Sequence, residues 1–187
     1  EIVKYLVEKN GFINKKAIVY ASANGHLEIV KYLVEKNGFI NKKAISRAVL
    51  RNHLEIVKYL EKKGEIISDT DYEDASINGS LEIIQYLYDR GEPYNKTSFY
   101  RAIIKNRLDV VKYLSKKHMI DDISIALANN NGHLEILKYL VKNGGVLHED
   151  MVPIAVLNEC FEIVKYLVEN GVRISKDTIS RAIQNGR

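Results

Sequence analysis

Apolar residues recur along the chain with the spacing of an amphipathic helix. In residues 27–34 they stand three and four positions apart, and acidic and basic residues fill the positions between them. This period places the apolar side chains on one side of a helix and the charged ones on the other. A shorter pattern of the same kind precedes it in each unit, as in Ile45, Ala48 and Val49. The chain therefore predicts pairs of helices, a shorter first helix and a longer second helix.

The second-helix pattern is an internal repeat. The six-residue word Glu1–Leu6 returns in near-identical form six times, and its copies begin at positions 1, 28, 55, 82, 109, 135 and 162. Successive copies are 27 residues apart, except for one interval of 26. A helix pair of this length cannot bury enough apolar surface alone, so such units fold only when neighbours stack and share a core. We expect an all-α solenoid, elongated and curved, that forms one array over residues 1–187 and begins and ends inside a repeat.

Small residues occupy the positions where the predicted helices turn or approach one another. The turn within each pair carries glycine or asparagine, residues that accept a left-handed backbone, at Gly25, Asn52, Gly79, Asn106, Gly132 and Gly186. A glycine placed to cap the second helix follows it at Gly11, Gly38, Gly64, Gly91, Gly144 and Gly171. The first helices carry an alanine suited to close packing at Ala21, Ala48, Ala75, Ala102, Ala128, Ala155 and Ala182.

The repeated words resemble those of ankyrin repeats. Residues 25–33 and 131–140 are similar to the second helix of that family, and residues 11–14 and 38–41 to the segment that follows it. Ankyrin repeats run to about 33 residues, so each unit here is shorter, and the usual Thr-Pro-Leu-His start of the first helix is absent. The missing stretch is where ankyrin repeats place a β-hairpin finger. We expect short loops in its place and little or no strand.

This resemblance carries expectations about function. Ankyrin arrays imply a non-enzymatic scaffold that binds a protein partner through the concave side of its first helices. The near-identical copies, rich in Lys, Asn, Ile and Tyr, are also similar to the ankyrin families of giant amoeba-infecting viruses. That likeness implies a host protein as partner and the host cytoplasm as location.

Composition narrows the remaining classes of function. The longest apolar run, residues 151–157, is far too short to span a membrane. Cys160 is the single cysteine, which excludes a disulfide framework and suggests a reducing compartment. The net charge of +4 is uneven, with thirteen basic and six acidic residues in 1–63 but two basic and eight acidic residues in 64–100. A charge this small does not by itself indicate a nucleic-acid partner.

Candidate chemistry was sought among the histidines and the cysteine. His26, His53 and His133 occupy equivalent places in their repeats and suggest metal ligation, but ligands of one zinc ion must lie about 2 Å from it. We interpret them instead as residues that order the turn within the pair. His118 occupies a slot usually held by glycine and suggests a reshaped turn, and no base or orienting group is arranged around Cys160. We expect no catalytic set, no metal and no cofactor.

Acidic residues cluster before several first helices. Asp121 with Asp122, and Glu149 with Asp150, fit the capping of a helix N-terminus. The stretch Asp69, Asp71, Glu73 and Asp74 lacks the glycine and the distal glutamate of a calcium loop. We interpret it as a solvated acidic helix start.

The outer face of the first helices varies most between copies, whereas the core positions change little. We call this set of predicted partner-binding residues the first-helix row. It comprises Tyr20, Asn24, Arg47, Leu50, Arg51, Asp74, Ile77, Asn78, Arg101, Ile104, Lys105, Leu127, Asn131, Ile154, Leu157, Asn158 and Arg181. Arginine and apolar anchors suit the core of a protein interface.

Three other interpretations of the pattern stay open. Variation at exposed sites also arises by unconstrained drift. Nucleic acid would need a continuous basic stripe, which Asp74, Leu127 and Ile154 interrupt. Apolar faces at the two ends of the array would allow copies to associate end to end.

Overall fold

The protein, described here from a computed structural model, is helical throughout the part that the structure describes. That part is residues 1–9, 13–14, 16–37, 40–90, 96–117, 119–184 and 186, without the side chains of Asn37 and Arg181. It contains no β-strand, which confirms the prediction of loops in place of fingers. The chain divides into two compact units, Glu1–Asn95 and Lys96–Arg187, called here the N-terminal and C-terminal units.

The N-terminal unit is a stack of helix pairs. The first helices are α2, α4 and α6, and the second helices are α1, α3, α5 and α7. Helix α4 packs between α2 and α6, and each first helix packs on the second helix of its own pair. The bounds are α1 Ile2–Glu8, α2 Ala17–Ala23, α3 Leu27–Asn37, α4 Lys43–Leu50, α5 Leu54–Lys62, α6 Asp69–Asn78 and α7 Leu81–Asp89.

The C-terminal unit repeats the same arrangement. Helix α10 packs between the first helices α8 and α12, and α12 also contacts α14. The second helices α9, α11 and α13 each follow a first helix in the chain. The bounds are α8 Lys96–Ile104, α9 Leu108–Leu114, α10 Asp122–Asn130, α11 Leu134–Lys142, α12 Met151–Leu157, α13 Phe161–Glu169 and α14 Lys176–Gln184.

The core of each unit lies where the small faces of the first helices meet the apolar faces of the second helices. The alanine predicted to allow close approach is buried in six of its seven copies, and Ala182 is half-buried. In α4, Ile45 and Val49 are buried beside it, as the pattern predicted. The same prediction is wrong for Ile179 and Ile183 of α14, which are exposed. Helix α14 packs on α12 and is the last helix of the described part.

The turn within each pair has the same geometry in six repeats. The residue before the second helix donates its backbone N–H to the carbonyl of the alanine that packs in the first helix, called here the framework alanine. The distance is 2.8–2.9 Å, as from His53 to Ala48. The residue preceding that donor is left-handed, and Gly25, Asn52, Gly79, Asn106 and Gly132 confirm the prediction with φ between 57° and 74°. Sequence reasoning missed Glu159, which takes the same conformation with φ 58°.

The turn after the second helix is closed by glycine. Gly64, Gly144 and Gly171 have φ of 96°, 107° and 83°, as predicted for left-handed caps. Gly11, Gly38 and Gly91 lie outside the described residues, as does the reshaped turn expected at His118. Pro153 lies in the first turn of α12, where its missing N–H costs no helical hydrogen bond. Among the described helices, none is both long enough and apolar enough to cross a bilayer.

The acidic start of α6 differs from the prediction. Asp71 was expected to be solvated, but only 1% of its surface is exposed. It is the third residue of the helix, and its Oδ2 accepts hydrogen bonds from the backbone N–H and the hydroxyl of Ser68 at 2.8 and 2.7 Å. This capping box turns the carboxylate inward, because the backbone N–H of Ser68 has no acceptor within the helix.

Candidate protein-binding face

The first-helix row lies at the surface of both units. Tyr20 is 62% exposed on α2, and Arg47 and Arg51 are exposed on α4 and at its C-terminus. The other side chains of the N-terminal unit are half-buried or exposed, namely Asn24, Leu50, Asp74, Ile77 and Asn78. Because α2, α4 and α6 pack side by side, the structure brings these residues onto neighbouring helices of one unit.

The C-terminal unit carries the second part of the row. Leu157 is 53% exposed at the end of α12, and Arg101 and Lys105 are exposed on α8 and just after it. The remaining members are half-buried or exposed, namely Ile104, Leu127, Asn131, Ile154 and Asn158. The side chain of Arg181 lies outside the described part.

The asparagines of the row have structural partners. Asn24, Asn78 and Asn131 each donate a side-chain N–H to the carbonyl four residues earlier, at 2.7–2.8 Å. Asn158 donates to the carbonyl of Asn130, the last residue of the neighbouring first helix, at 2.9 Å. The bond from Asn158 pairs a carbonyl at a helix end, whereas Asn24 and Asn131 add a second hydrogen bond to carbonyls that already accept their own backbone N–H. The asparagines therefore stabilise helix ends, and the charged, aromatic and aliphatic members of the row remain for recognition.

Two histidines predicted to order the turn also join neighbouring repeats. The Nε2 of His53 lies 3.2 Å from the carbonyl of Ala23 in α2, and the Nε2 of His133 lies 3.0 Å from the carbonyl of Ile104 in α8. A carbonyl oxygen only accepts hydrogen bonds, so in each ring Nε2 carries the proton. Sequence reasoning missed this link, although the signal was present as a histidine 29 or 30 residues after the end of a preceding first helix.

No metal-ligating cluster is found within the residues that the structure describes. His148 lies 3.4 Å from Asp122, and His26 is exposed. Cys160 occupies the histidine slot of its repeat, with a free, half-buried thiol whose Sγ lies 3.4 Å from the carbonyl of Asn158.

The lysines of the second helices lie on the charged side of the helix, as the pattern predicts, and several of them also contact the neighbouring repeat. The lysine of one repeat word lies over the ring of the tyrosine in the next, as in Lys4 over Tyr32 at 5.7 Å and Lys58 over Tyr86 at 5.6 Å. Lys112 stands in the same relation to Tyr139 at 5.9 Å. These are cation–π contacts between neighbouring second helices.

Acidic side chains engage the same face of the second helices. Lys31 pairs with Glu28 at 2.7 Å and Lys58 with Glu55 at 2.8 Å, one helical turn apart. Glu61 accepts a hydrogen bond from the hydroxyl of Tyr86 at 2.7 Å and pairs with Arg90. Burial raises the pKa of Tyr86, and the hydrogen bond to Glu61 raises it further. The charges of the second helices thus serve the stack itself.

A similar polar cluster joins α8 to α10. The Asp121 carboxylate caps α10 by accepting the N–H of Ser124 at 2.9 Å, which confirms the capping prediction there, whereas Asp150 before α12 makes no such side-chain bond. It also accepts the hydroxyl of Tyr100 and pairs with Lys96, both at 2.6 Å. Burial raises the pKa of Asp121, but the hydrogen bonds from Lys96 and Tyr100 outweigh that effect and hold the pKa at about 2. The carboxylate is therefore committed to the packing of two neighbouring repeats.

A groove of about 730 Å³ lies beside α1 in the N-terminal unit. Leu6, Ile13 and Ala17 line it with other apolar side chains, and Ile2 and Tyr5 of α1 are exposed. It lies at one end of the stack of the N-terminal unit. Tyr20 and Asn24 are the row residues that border it.

Comparison with known proteins identifies the repeats in the first part of the chain. Residues 1–71 match the family model for ankyrin repeats, in three copies. No curated protein matches the chain. Residues 72–187 lie outside the match but carry the repeat word four times and the same helix pairs.

Each unit thus has an all-α, ankyrin-like solenoid fold of helix-turn-helix repeats, without strands in the described part. Ankyrin repeats generally mediate protein–protein interaction, and proteins built from them are typically non-enzymatic scaffolds.

Proposed function

We propose that this protein is a non-enzymatic scaffold that binds a partner protein through the first-helix row. The proposal rests on one observation, the contrast between neighbouring positions of the first helices. The framework alanine is kept in every copy, whereas the position before it holds Tyr20, Arg47, Asp74, Arg101, Leu127, Ile154 and Arg181. A surface whose residues differ between copies, on a framework that stays the same, is suited to the recognition of one particular partner.

The second helices offer a poorer surface for a partner. Their lysines pair with glutamates of the same helix or lie over tyrosine rings of the next repeat. A partner would have to break these contacts to use the charges. In contrast, Arg47 and Arg51 form no ion pair with the described residues. Arginine with adjacent aromatic and aliphatic side chains is the composition favoured at interface centres.

The identity and location of the partner follow only from the resemblance. If the likeness to giant-virus arrays holds, the partner is a host protein and the complex forms in the host cytoplasm. Association of the array end to end, and nucleic-acid binding through the basic positions of the row, remain alternatives. Each predicts a different result in the experiment below.

The test is a capture experiment with the whole chain as bait in a lysate of the cells in which the protein occurs. The row variant carries Arg47→Glu, Arg51→Glu, Arg101→Glu and Lys105→Glu. A matched control carries the same four charge reversals at exposed sites outside the row, at Lys62, Lys116, Lys142 and Arg173. Circular dichroism first establishes that both variants keep the helicity of the parent.

The proposal predicts a protein that the parent and the control retain at high salt and that the row variant loses. Equal retention by the row variant would place the binding face elsewhere. Recovery of nucleic acid that salt removes would favour the alternative of phosphate contacts. Capture of only the chain itself would favour end-to-end assembly.

A further inference from the structure

The first helices of the N-terminal unit separate charge by sign. No Asp or Glu occurs in residues 9–27 or 36–54, the two segments that contain α2 and α4. In those segments the structure describes a group of exposed basic side chains on the first helices and their flanking turns: Lys16, Lys42, Lys43, Arg47 and Arg51. The glutamates of the same repeats, Glu28, Glu35, Glu55 and Glu61, all lie on the second helices. The excess positive charge of residues 1–63 is therefore concentrated on the first-helix side.

The arginines of this group are placed to act together. Arg47 lies on α4 and Arg51 four residues later at its C-terminus, and residues at this spacing are neighbours on a helix surface. Neither forms an ion pair with the described residues. A guanidinium holds a carboxylate through two parallel hydrogen bonds, so the two side chains offer two carboxylate positions.

Apolar surface lies beside these charges. Leu50 lies between the two arginines in the sequence, and its side chain is half-buried. Tyr20 lies on the adjacent helix α2 at the position equivalent to Arg47. Helices packed in this way lie about 8–10 Å apart, a distance that one extended segment of a few residues spans. The patch thus combines two cationic groups with an aromatic and an aliphatic contact.

An acidic helix limits the patch on the other side. Helix α6 packs on α4 and carries Asp74 in the place equivalent to Arg47. Burial raises the pKa of Asp74, and the neighbouring Asp71 and Glu73 raise it further, against the lowering effect of Arg47. A second negative group near Asp74 would be repelled by its carboxylate, whose charged form is already disfavoured by burial and by the neighbouring acids. An anionic ligand therefore fits across α2 and α4 but not across α6.

We propose that α2 and α4 bind an acidic peptide segment of the partner, with its carboxylates on Arg47 and Arg51 and an apolar side chain against Tyr20 and Leu50. The inference rests on the proposed function, because it names the partner class for the same row. A nucleic acid is disfavoured, because its strand carries a charge every 3.4 Å or so and would continue onto the acidic start of α6. The patch is short and bounded, as a peptide requires.

The test is a selection of random twelve-residue peptides displayed on phage, with the whole chain as bait. The inference predicts that enriched peptides carry a net negative charge and at least one Leu, Ile, Val or aromatic residue. Their affinity is then measured with synthetic peptides by fluorescence anisotropy. Arg47→Glu combined with Arg51→Glu is expected to weaken binding at least tenfold, because each change replaces attraction with repulsion.

Two further variants make the test specific. Asp74→Asn keeps the shape of the side chain and removes the limiting charge, so it is expected to tighten the same peptides two- to fivefold. Lys116→Glu combined with Arg173→Glu gives the charge change of the arginine variant outside the row and is expected to leave affinity unchanged. A single-stranded thymidine oligonucleotide of twelve residues is the phosphate probe, and we expect it to bind more weakly than the peptides.

The outcomes separate this inference from the proposed function. Enriched peptides that are neutral or basic but depend on Tyr20 or Leu50 would overturn the acidic class and leave the binding face in place. Peptides that no change in the row affects, or enrichment of none, would count against the binding face itself. Tighter binding of the oligonucleotide, with a steep loss on addition of salt, would assign the patch to phosphate and overturn the inference.

Discussion

The imidazole Nε2 of His53 lies 3.2 Å from the carbonyl oxygen of Ala23, the last residue of the first helix in the preceding repeat. This bond joins two repeats at the end of a helix, where carbonyls lack partners within the helix. Its counterpart in the C-terminal unit joins His133 to Ile104 at 3.0 Å. The ring of this histidine therefore acts between repeats, because in its own turn only the backbone N–H is bonded, as it is at Ser80 and Cys160 in theirs.

Removal of the His53 ring is expected to destabilise the stack. His53→Ala leaves the carbonyl of Ala23 without its partner, and a hydrogen bond of this kind contributes roughly 1 kcal/mol. His26→Ala is the matched control, because His26 is exposed and its ring makes no hydrogen bond with the described residues. Urea denaturation followed by circular dichroism measures both. An equal loss in the two variants would contradict the role given to the link between repeats.

The glycine of the same turn is constrained from two sides. Gly25 has φ 74°, and a Cβ built on it would lie 2.7 Å from Cε1 of His53. Gly25→Ala therefore combines a left-handed alanine, which costs about 1–2 kcal/mol, with displacement of the ring from Ala23. Gly64→Ala tests the backbone effect alone, because Gly64 has φ 96° and nothing within 4 Å of such a Cβ.

We expect Gly25→Ala to lower the free energy of unfolding by more than Gly64→Ala does. The double variant Gly25→Ala, His53→Ala should lose less unfolding free energy than the sum of the two single losses, because both changes remove the same contact. Strict additivity in thermal or urea unfolding would show that the ring and the turn act independently.

The Asp121 cluster predicts a dependence of stability on pH. Its folded-state pKa of about 2 lies below the ordinary value of 3.8, so the charged form stabilises the fold. That contribution is complete above about pH 5 and is lost as the pH falls toward the folded-state pKa. Asp121→Asn is expected to cost roughly 1–2 kcal/mol at pH 7, because asparagine keeps an acceptor for the helix cap but loses the ion pair with Lys96 and the charged acceptor for Tyr100.

The control for this prediction is Asp122→Asn, which makes the same charge change at the next residue, an exposed one. Unfolding by urea at pH 7 and at pH 3 measures both variants against the parent. The difference between parent and Asp121→Asn should shrink at the lower pH. A difference that stays constant between the two pH values would show that the carboxylate charge is not the source of the stabilisation.

Much of the fold could be predicted from the sequence, because one pattern is repeated seven times. The left-handed turns at Gly25 and Asn52 followed from residue types that accept a left-handed backbone, and the buried alanine at Ala48 followed from its small side chain. The left-handed conformation of Glu159 in the equivalent turn could not be predicted, because glutamate does not favour a left-handed backbone. There the flanking helices impose the conformation that glycine adopts freely in other repeats.

Contacts between repeats were harder to predict than the repeats themselves. The pattern placed Lys58 on a charged helix face, but only the packing of α5 and α7 shows it over Tyr86. Asp71 was expected in solvent because of its charge, yet its carboxylate is buried, where it accepts a hydrogen bond from the backbone N–H of Ser68. The exposed positions of the first-helix row could be predicted, but whether a partner uses them stays a prediction.

Photo-crosslinking tests whether a partner protein binds on the first-helix row. A benzophenone amino acid replaces Tyr20 in the N-terminal unit and Leu157 in the C-terminal unit, one position at a time. Ile66 and Met119, which are 84% and 87% exposed in the loops before α6 and α10, receive the same group as controls. We expect crosslinks to a partner protein from positions 20 and 157 and none from positions 66 and 119. Crosslinks from the loop positions, with none from the row, would contradict this expectation.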